Sequence, residues 1–195
     1  HGNAFSVFAL AAHSNTALLI EQAREFNPRF VCIFDPSLRG EVAEALPDCE
    51  VFTGMEGLCE IVAADEVDTV VMAMVGAIAI EPTLQALSFG KRVALANKEC
   101  LVSAGELIME RARKKSAEII PVDSEHSALF QCMQEKGAKQ AVERLILTAS
   151  GGPFFGKSIE ELKGVTLNDA LAHPTWSMGK KVTIDSSHLM NKGLE

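Results

Sequence analysis

Several common sequence patterns are missing from this chain of 195 residues. Its longest apolar run, from Val70 to Ile80, is too short to span a bilayer as a helix. The 5 cysteines are scattered and form no CxxC pair, which favours buried thiols in a reducing compartment. With 18 basic against 26 acidic residues the net charge is -8, so nothing indicates nucleic-acid binding. These absences favour a protein without a membrane or nucleic-acid partner.

The start and end of the chain carry no terminal signals. The sequence begins at His1 without an initiator Met or a signal-peptide pattern, and it stops at Glu195 inside a predicted helix. We therefore expect it to be an excerpt of a longer natural protein.

The first 122 residues alternate short β-rich runs with longer amphipathic ones. Strands are predicted at Phe5–Ala12, Arg29–Asp35, Glu50–Thr53, Asp68–Val75, Arg92–Ala96 and Glu118–Val122. Helices are predicted at Thr16–Phe26, Leu38–Leu46, Gly57–Ala64, Pro82–Ser88 and Leu101–Lys115. Ser14-Asn15 and Gly90 are placed as helix caps. Apolar strands that alternate with helices indicate a parallel sheet covered on both faces, the doubly wound α/β class.

The pattern changes after residue 122, where we expect a second region. The predictions there are helices at Ser124–Gln134, Ile159–Leu162 and from Ser187 onward, strands at Arg144–Thr148 and Lys181–Ile184, and a polar loop at Asn168–Lys180. Strands and helices in this order predict the start of an α+β domain.

Asp123 and Glu125 form a D-x-E pair at the end of a predicted strand. Side chains two apart on an extended segment point the same way, and two carboxylates repel unless a cation or proton lies between them. Glu195 and Asn191 are i, i+4 neighbours on the predicted last helix, so Glu195 could add a third carboxylate. Oxygen ligands alone favour Mg²⁺ or Mn²⁺ over zinc. The alternative is a set of solvated surface acids.

A second group of residues is suited to binding an anion. Ser150 opens a small-residue turn that can aim backbone N–H groups at an oxyanion. Ser186 and Ser187 are expected to open the last helix, where exposed amides and the helix dipole attract negative charge. Lys192 and His173 add donors, so we predict a phosphate pocket, with simple helix capping as the alternative.

Fewer features of the sequence indicate a dinucleotide site. No G-x-G-x-x-G occurs, although a dinucleotide-binding fold usually has one after its first strand. The turn at Ser14 and Asn15 follows the first strand without an acidic residue, which mildly favours NADP over NAD. Trp176, the only Trp, lies in a polar loop and is either a core plug or part of a lid that excludes water.

Five collinear stretches resemble the 1-deoxy-D-xylulose-5-phosphate reductoisomerase family. They are Leu95-Ala-Asn-Lys-Glu99, Pro121-Val-Asp-Ser-Glu-His126, Thr148-Ala-Ser-Gly-Gly-Pro-Phe154, His173-Pro-Thr-Trp-Ser-Met-Gly-Lys-Lys181, and Ile184-Asp-Ser together with Met190-Asn-Lys-Gly-Leu-Glu195. The resemblance implies an NADPH-dependent oxidoreductase that rearranges and then reduces 1-deoxy-D-xylulose 5-phosphate to 2-C-methyl-D-erythritol 4-phosphate, in non-mevalonate isoprenoid biosynthesis.

The resemblance also implies a role for individual residues. The Mg²⁺ or Mn²⁺ ligands would be Asp123, Glu125 and Glu195. These three and Lys98 would form the catalytic set. The residues in contact with the sugar-phosphate substrate would be Lys98, Ser124, Glu125, Ser150, His173, Ser186, Asn191, Lys192 and Glu195. The NADPH site would be lined by Ser14, Asn15, Ala73, Val75, Asn97, Glu99 and Met178, with Trp176 in the lid.

In domain terms, the resemblance implies a Rossmann-like NADPH-binding domain over residues 1–122 and a catalytic domain over residues 123–195, each incomplete. The first strand of the family is missing, and in the strand order 3-2-1-4-5-6 its loss would open two edges in the middle of the sheet. His13 departs from the Gly that the family often has there. A homodimer of the full-length protein and a bacterial cytoplasm are implied, with a plastid-type organelle as alternative.

Two other functions stay open from the residues alone. The first is a metal-dependent sugar-phosphate isomerase or aldolase with no redox step. The second is a non-catalytic NADP-binding or scaffold module.

Overall fold

The chain divides into two compact units. A computed structural model describes residues 5–195, and the units are His1–Ile120 and Pro121–Glu195. Residues 1–4, with which the predicted first domain begins, lie outside the described residues. Among the residues that are described, no helix is both long and apolar enough to cross a membrane.

Strands and helices alternate through the first unit. The strands are β1 (Ala9–Ala12), β2 (Phe30–Ile33), β3 (Glu50–Thr53), β4 (Thr69–Met72), β5 (Arg92–Leu95) and β6 (Ile119–Pro121). The helices are α1 (Thr16–Phe26), α2 (Arg39–Ala45), α3 (Gly54–Ala63), α4 (Ile80–Ser88) and α5 (Glu99–Lys115), with 3-10 turns at Pro36–Leu38 and Ala77–Ala79. Each predicted strand and helix of this part is present, with ends that shift by a few residues.

The strands pair into two sheets of three, in the orders β1-β2-β3 and β4-β5-β6. The β1–β2, β2–β3 and β4–β5 pairs are parallel. In the described part of the chain, β1 and β4 each pair on one side only. Parallel strands that alternate with helices confirm the doubly wound α/β prediction, and within the described residues the strands form two separate sheets.

The central strand β2 is buried on both faces. Val31 and Ile33 are fully buried in a core cluster with Leu19 of α1 and Val42 of α2. Cys32, which points to the opposite face because side chains alternate along a strand, is fully buried with residues of α3. Helices therefore cover both faces of this sheet, as the apolar strands predicted.

The second unit is helical in most of its regular structure. Its helices are α6 (Ser124–Cys132), α7 (Ala138–Ala141), α8 (Ile159–Leu162), α9 (Leu167–Leu171), α10 (Lys180–Ser187) and α11 (Met190–Leu194). The α8 prediction is confirmed, whereas α7 was not predicted, and α9 occupies the start of the predicted polar loop.

Two predicted strands of this unit are not formed in the described residues. The segment 144–148 has no regular structure, and Leu145 and Ile146 are 60% and 72% exposed. An apolar run becomes a strand only where a neighbouring strand accepts its hydrogen bonds. The segment 181–184 lies in α10, where Lys181 pairs with Asp185 at 2.7 Å and Thr183 is buried. There an i, i+4 ion pair and burial override the β-branched composition.

Candidate active site

Asp123 and Glu125 lie where β6 gives way to α6. Asp123 is the N-cap of α6, and Glu125 lies in its first turn. The predicted mechanism of convergence, alternation along a strand, is therefore wrong, because the chain turns into a helix directly after β6. The two carboxylates nevertheless approach one point, since both belong to the helix start.

The last helix brings a third carboxylate to the pair. One ligand oxygen each from Asp123, Glu125 and Glu195 lies within 4.8 Å of the other two. Two oxygens bound to one Mg²⁺ at about 2.0–2.1 Å lie about 2.9 Å apart in cis positions and about 4.2 Å apart in trans positions. The Glu195 side chain is only 1% exposed, so water screens this cluster poorly. The spacing and the oxygen-only donor set fit a hard divalent cation.

Basic and hydroxyl side chains stabilise the charged carboxylates. The Lys192 ammonium donates to Glu125 and, at 2.7 Å, to Glu195 Oε2. His126 Nδ1 lies 2.9 Å from Asp123 Oδ1, and the Ser124 hydroxyl donates to Glu125 Oε2 at 2.6 Å. Burial opposes ionisation of Glu125, but the hydrogen bonds from Lys192 and Ser124 outweigh it and hold the pKa of that carboxyl below its usual value.

Asn191 supplies a further sign that a ligand fits here. Its Nδ2 donates to Glu195 Oε1 at 3.0 Å, which orients the carboxylate as the i, i+4 spacing predicted. Its Oδ1 is buried and, among the described residues, has no hydrogen-bond partner. A buried acceptor without a donor is costly, so an unsatisfied oxygen beside three carboxylates indicates a missing cation or donor.

A second cluster joins Ser150, His173 and Gly152. His173 Nδ1 accepts the backbone N–H groups of Thr175 and Trp176 at 3.1 and 3.0 Å. Because Nδ1 is an acceptor, the proton of the neutral ring is on Nε2, which lies 3.1 Å from Ser150 Oγ. The Nε2–H therefore donates to the serine oxygen, which leaves the Ser150 hydroxyl proton able to donate to an anion.

Gly152 holds this turn against the end of α10. A Cβ at Gly152 would lie 2.5 Å from the Ser186 carbonyl oxygen, and the residue has φ of 67°. Only glycine tolerates both the left-handed backbone and the close approach. The structure thus packs the turn that follows Ser150 against the backbone of Ser186.

The expectation that Ser186 and Ser187 open a helix is wrong. Both are buried at the C-terminal end of α10, and α11 begins at Met190 after Leu189, whose φ is 63°. The C-terminal end of a helix carries partial negative charge, so the helix dipole cannot attract an anion to these residues. Ser187 Oγ donates to the Ile184 carbonyl at 2.7 Å, a local bond that ends the helix.

The residues predicted to line a dinucleotide site follow strands of the first unit. Ser14 and Asn15 follow β1, Ala73 and Val75 follow β4, and Asn97 and Glu99 follow β5, as does Lys98 of the predicted catalytic set. Since β4 and β5 are parallel neighbours, their C-terminal ends share one edge of the sheet, which is where ligands bind in folds of this class.

Among these residues, the Asn15 side chain already forms a hydrogen bond within the protein. Asn15 Oδ1 caps α1 by accepting the Leu18 N–H at 3.1 Å. Ala73 and Val75 are exposed on the loop after β4.

Trp176 and Met178 lie between α9 and α10. Trp176 is 62% exposed, so within the second unit it is not a core plug. The backbone of this loop is tied to His173 through the Trp176 N–H.

The sequence analysis missed two residues of these clusters, His126 and Gly152. A His three residues after a helix N-cap Asp can reach back to that carboxylate, a spacing that would have indicated the Asp123 pair. For Gly152 the sequence shows a small-residue turn, but not what the turn packs against.

Family models and known proteins match nearly the whole chain. A model described as 1-deoxy-D-xylulose 5-phosphate reductoisomerase matches residues 1–105, and one for the C-terminal domain of the same enzyme matches residues 119–195. The chain is 52% identical over 191 residues to the 1-deoxy-D-xylulose 5-phosphate reductoisomerase of Lachnoclostridium phytofermentans and 49% identical over 192 residues to that of Chlamydia caviae. These matches cover 97% and 98% of this chain but 49% and 50% of the relatives, so the chain spans about half their length.

Solved structures agree with the sequence matches. A crystal structure described as DOX-P reductoisomerase in complex with NADPH, fosmidomycin and magnesium is similar with a TM-score of 0.92 and 40% identity, covering 100% of this chain and 50% of that one. The enzyme from Zymomonas mobilis in complex with NADPH is similar with a TM-score of 0.86 and 41% identity, covering 97% of this chain and 49% of that one. Since the two family models together match nearly the whole sequence, this chain belongs to the 1-deoxy-D-xylulose 5-phosphate reductoisomerase family.

Proposed function

We propose that the protein containing this chain is an NADPH-dependent reductoisomerase that converts 1-deoxy-D-xylulose 5-phosphate to 2-C-methyl-D-erythritol 4-phosphate. The observation that carries the proposal is the convergence of Asp123, Glu125 and Glu195, which each bring one ligand oxygen to within 4.8 Å of the other two. Support comes from the complexes of similar enzymes with NADPH and magnesium.

The carboxylates would hold a divalent metal ion. Asp123, Glu125 and Glu195 would ligate Mg²⁺ or Mn²⁺, while His126 and Asn191 orient two of those carboxylates through the hydrogen bonds described above. When bound, the metal would supply Lewis-acid stabilisation of negative charge that develops on substrate oxygens.

The sugar phosphate would be oriented by the second unit. Ser150, His173, Ser186, Asn191 and Lys192 would hold the substrate, mainly through its phosphate. The Ser150 hydroxyl, held in place by the Nε2–H of His173, is suited to this as a neutral donor. Anchoring a remote phosphate provides binding energy that orients the reacting carbon atoms. Ser124 and Lys98 would contact substrate oxygens near the metal.

The remaining assignments concern the cofactor and the domains. Residues 1–122 would form the NADPH-binding domain and residues 123–195 the start of the catalytic domain. The cofactor would be lined by Ser14, Asn15, Ala73, Val75, Asn97, Glu99 and Met178. NADPH would supply the hydride, and the loop at Trp176 would exclude water during its transfer.

A homodimer and a location in the bacterial cytoplasm are part of the proposal, with a plastid-type organelle as the alternative location.

The test is NADPH oxidation by the full-length protein, followed at the absorbance wavelength of reduced nicotinamide. With 1-deoxy-D-xylulose 5-phosphate and Mg²⁺ or Mn²⁺ the signal should fall, and chelation of the metal should stop it. Glu125→Gln should lower kcat/KM by at least about 100-fold, because it removes one metal ligand. Glu160→Gln, the same change at an exposed residue of α8, should leave activity unchanged.

Two results would contradict the proposal. If substrate rearranges in a metal-dependent way without NADPH oxidation, the protein is a redox-free isomerase or aldolase. If Glu125→Gln changes no measurable activity, the acidic cluster has no catalytic role.

A further inference from the structure

The Lys192 side chain occupies the centre of the acidic cluster. Its ammonium contacts two of the three carboxylates, Glu125 and Glu195, and the side chain is only 17% exposed. The oxygens that Lys192 contacts belong to the same residues that converge within 4.8 Å of one another together with Asp123. An ammonium and a divalent metal ion would compete for these two carboxylates, because the oxygens that accept from Lys192 are less available as metal ligands.

Electrostatics explain why the ammonium lies there. Three carboxylates this close, with the Glu195 side chain 1% exposed, repel one another strongly unless a positive charge lies among them. The ammonium carries one positive charge, whereas a divalent cation carries two and binds carboxylate oxygens at about 2.0–2.1 Å in the case of Mg²⁺. A bound divalent cation would therefore neutralise the cluster better than Lys192 does.

From these contacts we propose that Lys192 is a built-in counterion that a divalent metal displaces, so that metal entry releases the ammonium for an anionic group of the substrate. This inference rests on the proposed function. It adds an order of events: the metal binds first, and phosphate binding by Lys192 follows. Lys192 thus couples the binding of two ligands, and the coupling is reciprocal by thermodynamic linkage.

The direct test uses the unmodified full-length protein and measures how fast Lys192 is acetylated. Lysines are labelled briefly with acetic anhydride at constant pH and ionic strength, and each site is quantified by mass spectrometry. Adding Mg²⁺ alone should raise the labelling rate of Lys192 by about fivefold or more, since couplings of this kind span about 5–150-fold. Lys163, which forms a solvent-exposed ion pair with Glu160 at 2.7 Å, is the internal control, and its labelling rate should not change. Inorganic phosphate added after Mg²⁺ should lower the Lys192 rate again.

A second test measures metal affinity. Lys192→Met removes the competitor, so it should bind Mn²⁺ several-fold more tightly than the parent protein in the absence of substrate, as measured by calorimetry or by the electron paramagnetic resonance of unbound Mn²⁺. Lys192→Arg keeps a cation beside the same carboxylates and should bind Mn²⁺ no more tightly than the parent. Lys163→Met removes a remote positive charge and controls for net charge.

The outcomes separate this inference from the proposed function. If Mg²⁺ binds but the labelling of Lys192 stays constant or falls, the displacement idea is wrong while the metal site survives. If phosphate leaves the raised labelling unchanged, the released ammonium does not serve the anion. If neither Mg²⁺ nor Mn²⁺ binds the parent protein, the proposed function itself fails.

Discussion

The buried side chain of Asn97 joins the segments that follow two neighbouring strands. Its Nδ2 donates to the carbonyls of Met74 and Gly76 at 2.6 and 3.0 Å, and its Oδ1 accepts the Cys100 N–H at 2.8 Å. Only 3% of the residue is exposed. The carboxamide therefore shapes the loop after β4 and starts α5, so any role near a cofactor comes from the backbone that it positions.

Replacing this carboxamide by a carboxylate tests that structural role. In Asn97→Asp both donor hydrogens are lost, and the new oxygen faces two carbonyls in a buried place. We expect a loss of about 3 kcal/mol in the free energy of unfolding, because buried acceptors are left without donors. Urea denaturation measures it. Asn168→Asp makes the same change at an exposed position of α9 and should cost almost nothing. Equal effects of the two substitutions would show that the Asn97 hydrogen bonds contribute little.

Gly152 and Gly156 allow the close packing of the turn beside Ser186 to be tested separately from its left-handed backbone. Both have positive φ, 67° and 78°, but a Cβ at Gly156 meets nothing within 4 Å, whereas one at Gly152 would lie 2.5 Å from a backbone oxygen. Gly156→Ala should cost about 1–2 kcal/mol of stability through the left-handed backbone alone. Gly152→Ala should cost clearly more and raise KM for the sugar phosphate, because the Ser150 turn must move away from α10. Thermal unfolding and steady-state kinetics check both effects, and similar results for the two variants would argue against the close packing.

At the scale of elements, Lys91 connects the two halves of the first unit. Its ammonium donates to the carbonyls of Ala64 and Asp65 at the C-terminal end of α3, at 2.7 and 3.2 Å. Lys91 itself lies between α4 and β5, and it is 9% exposed. Because α3 covers the first sheet and β5 belongs to the second, this contact ties the sheets together.

Lys91→Met keeps the length of the side chain and removes the charged donor. We expect the unfolding free energy to fall by about 2 kcal/mol, as hydrogen bonds to charged groups contribute about 1.5–3 kcal/mol. Lys114→Met is the control, because Lys114 forms an exposed i, i+4 pair with Glu110, and solvent screens such a pair strongly. Urea denaturation measures the unfolding free energy of both variants. If Lys91→Met costs as little as the control, water replaces the Lys91 ammonium at the Ala64 and Asp65 carbonyls.

The helices and strands of the first unit were predictable because local and tertiary preferences agree there. Apolar strands such as β2 can be stable only when buried on both faces, and Asn15 and Gly90 mark helix ends by their own chemistry. In the second unit these preferences conflict. The segment 181–184 contains three β-branched residues but is helical, since the i, i+4 ion pair of Lys181 with Asp185 and the burial of Thr183 favour the helix.

The acidic cluster was predictable for a similar reason. Carboxylates that lie close together repel one another unless a cation lies between them, so their approach indicates a cation site. The i, i+4 spacing of Asn191 and Glu195 places the two side chains on one face of a helix, wherever that helix begins. The prediction that Ser186 and Ser187 open a helix was wrong, because the boundary between α10 and α11 depends on the left-handed backbone of Leu189. No local sequence pattern indicates that conformation at a leucine.

The first unit as a whole consists of two parallel half-sheets with unequal protection from solvent. In the central strands, Val31 of β2 and Val93 of β5 are fully buried. Among the described residues, β1 and β4 pair on one side only, and Val71 of β4 is 69% exposed. Unpaired strand edges expose N–H groups to water and open more readily than central strands.

Hydrogen exchange of the 195-residue chain should reflect this arrangement. We expect the amides of β2 and β5 to exchange slowest and those of β1 and β4 markedly faster, because every second N–H of an edge strand lacks a partner in its sheet. A longer version of the chain that supplies the central strand of the doubly wound order should slow β1 and β4 together while changing β2 and β5 less. Equal protection of β1, β2, β4 and β5 in the 195-residue chain would instead mean that the open edges are already covered, either by each other or by a second copy. Concentration dependence separates those two cases, since only pairing between copies weakens on dilution.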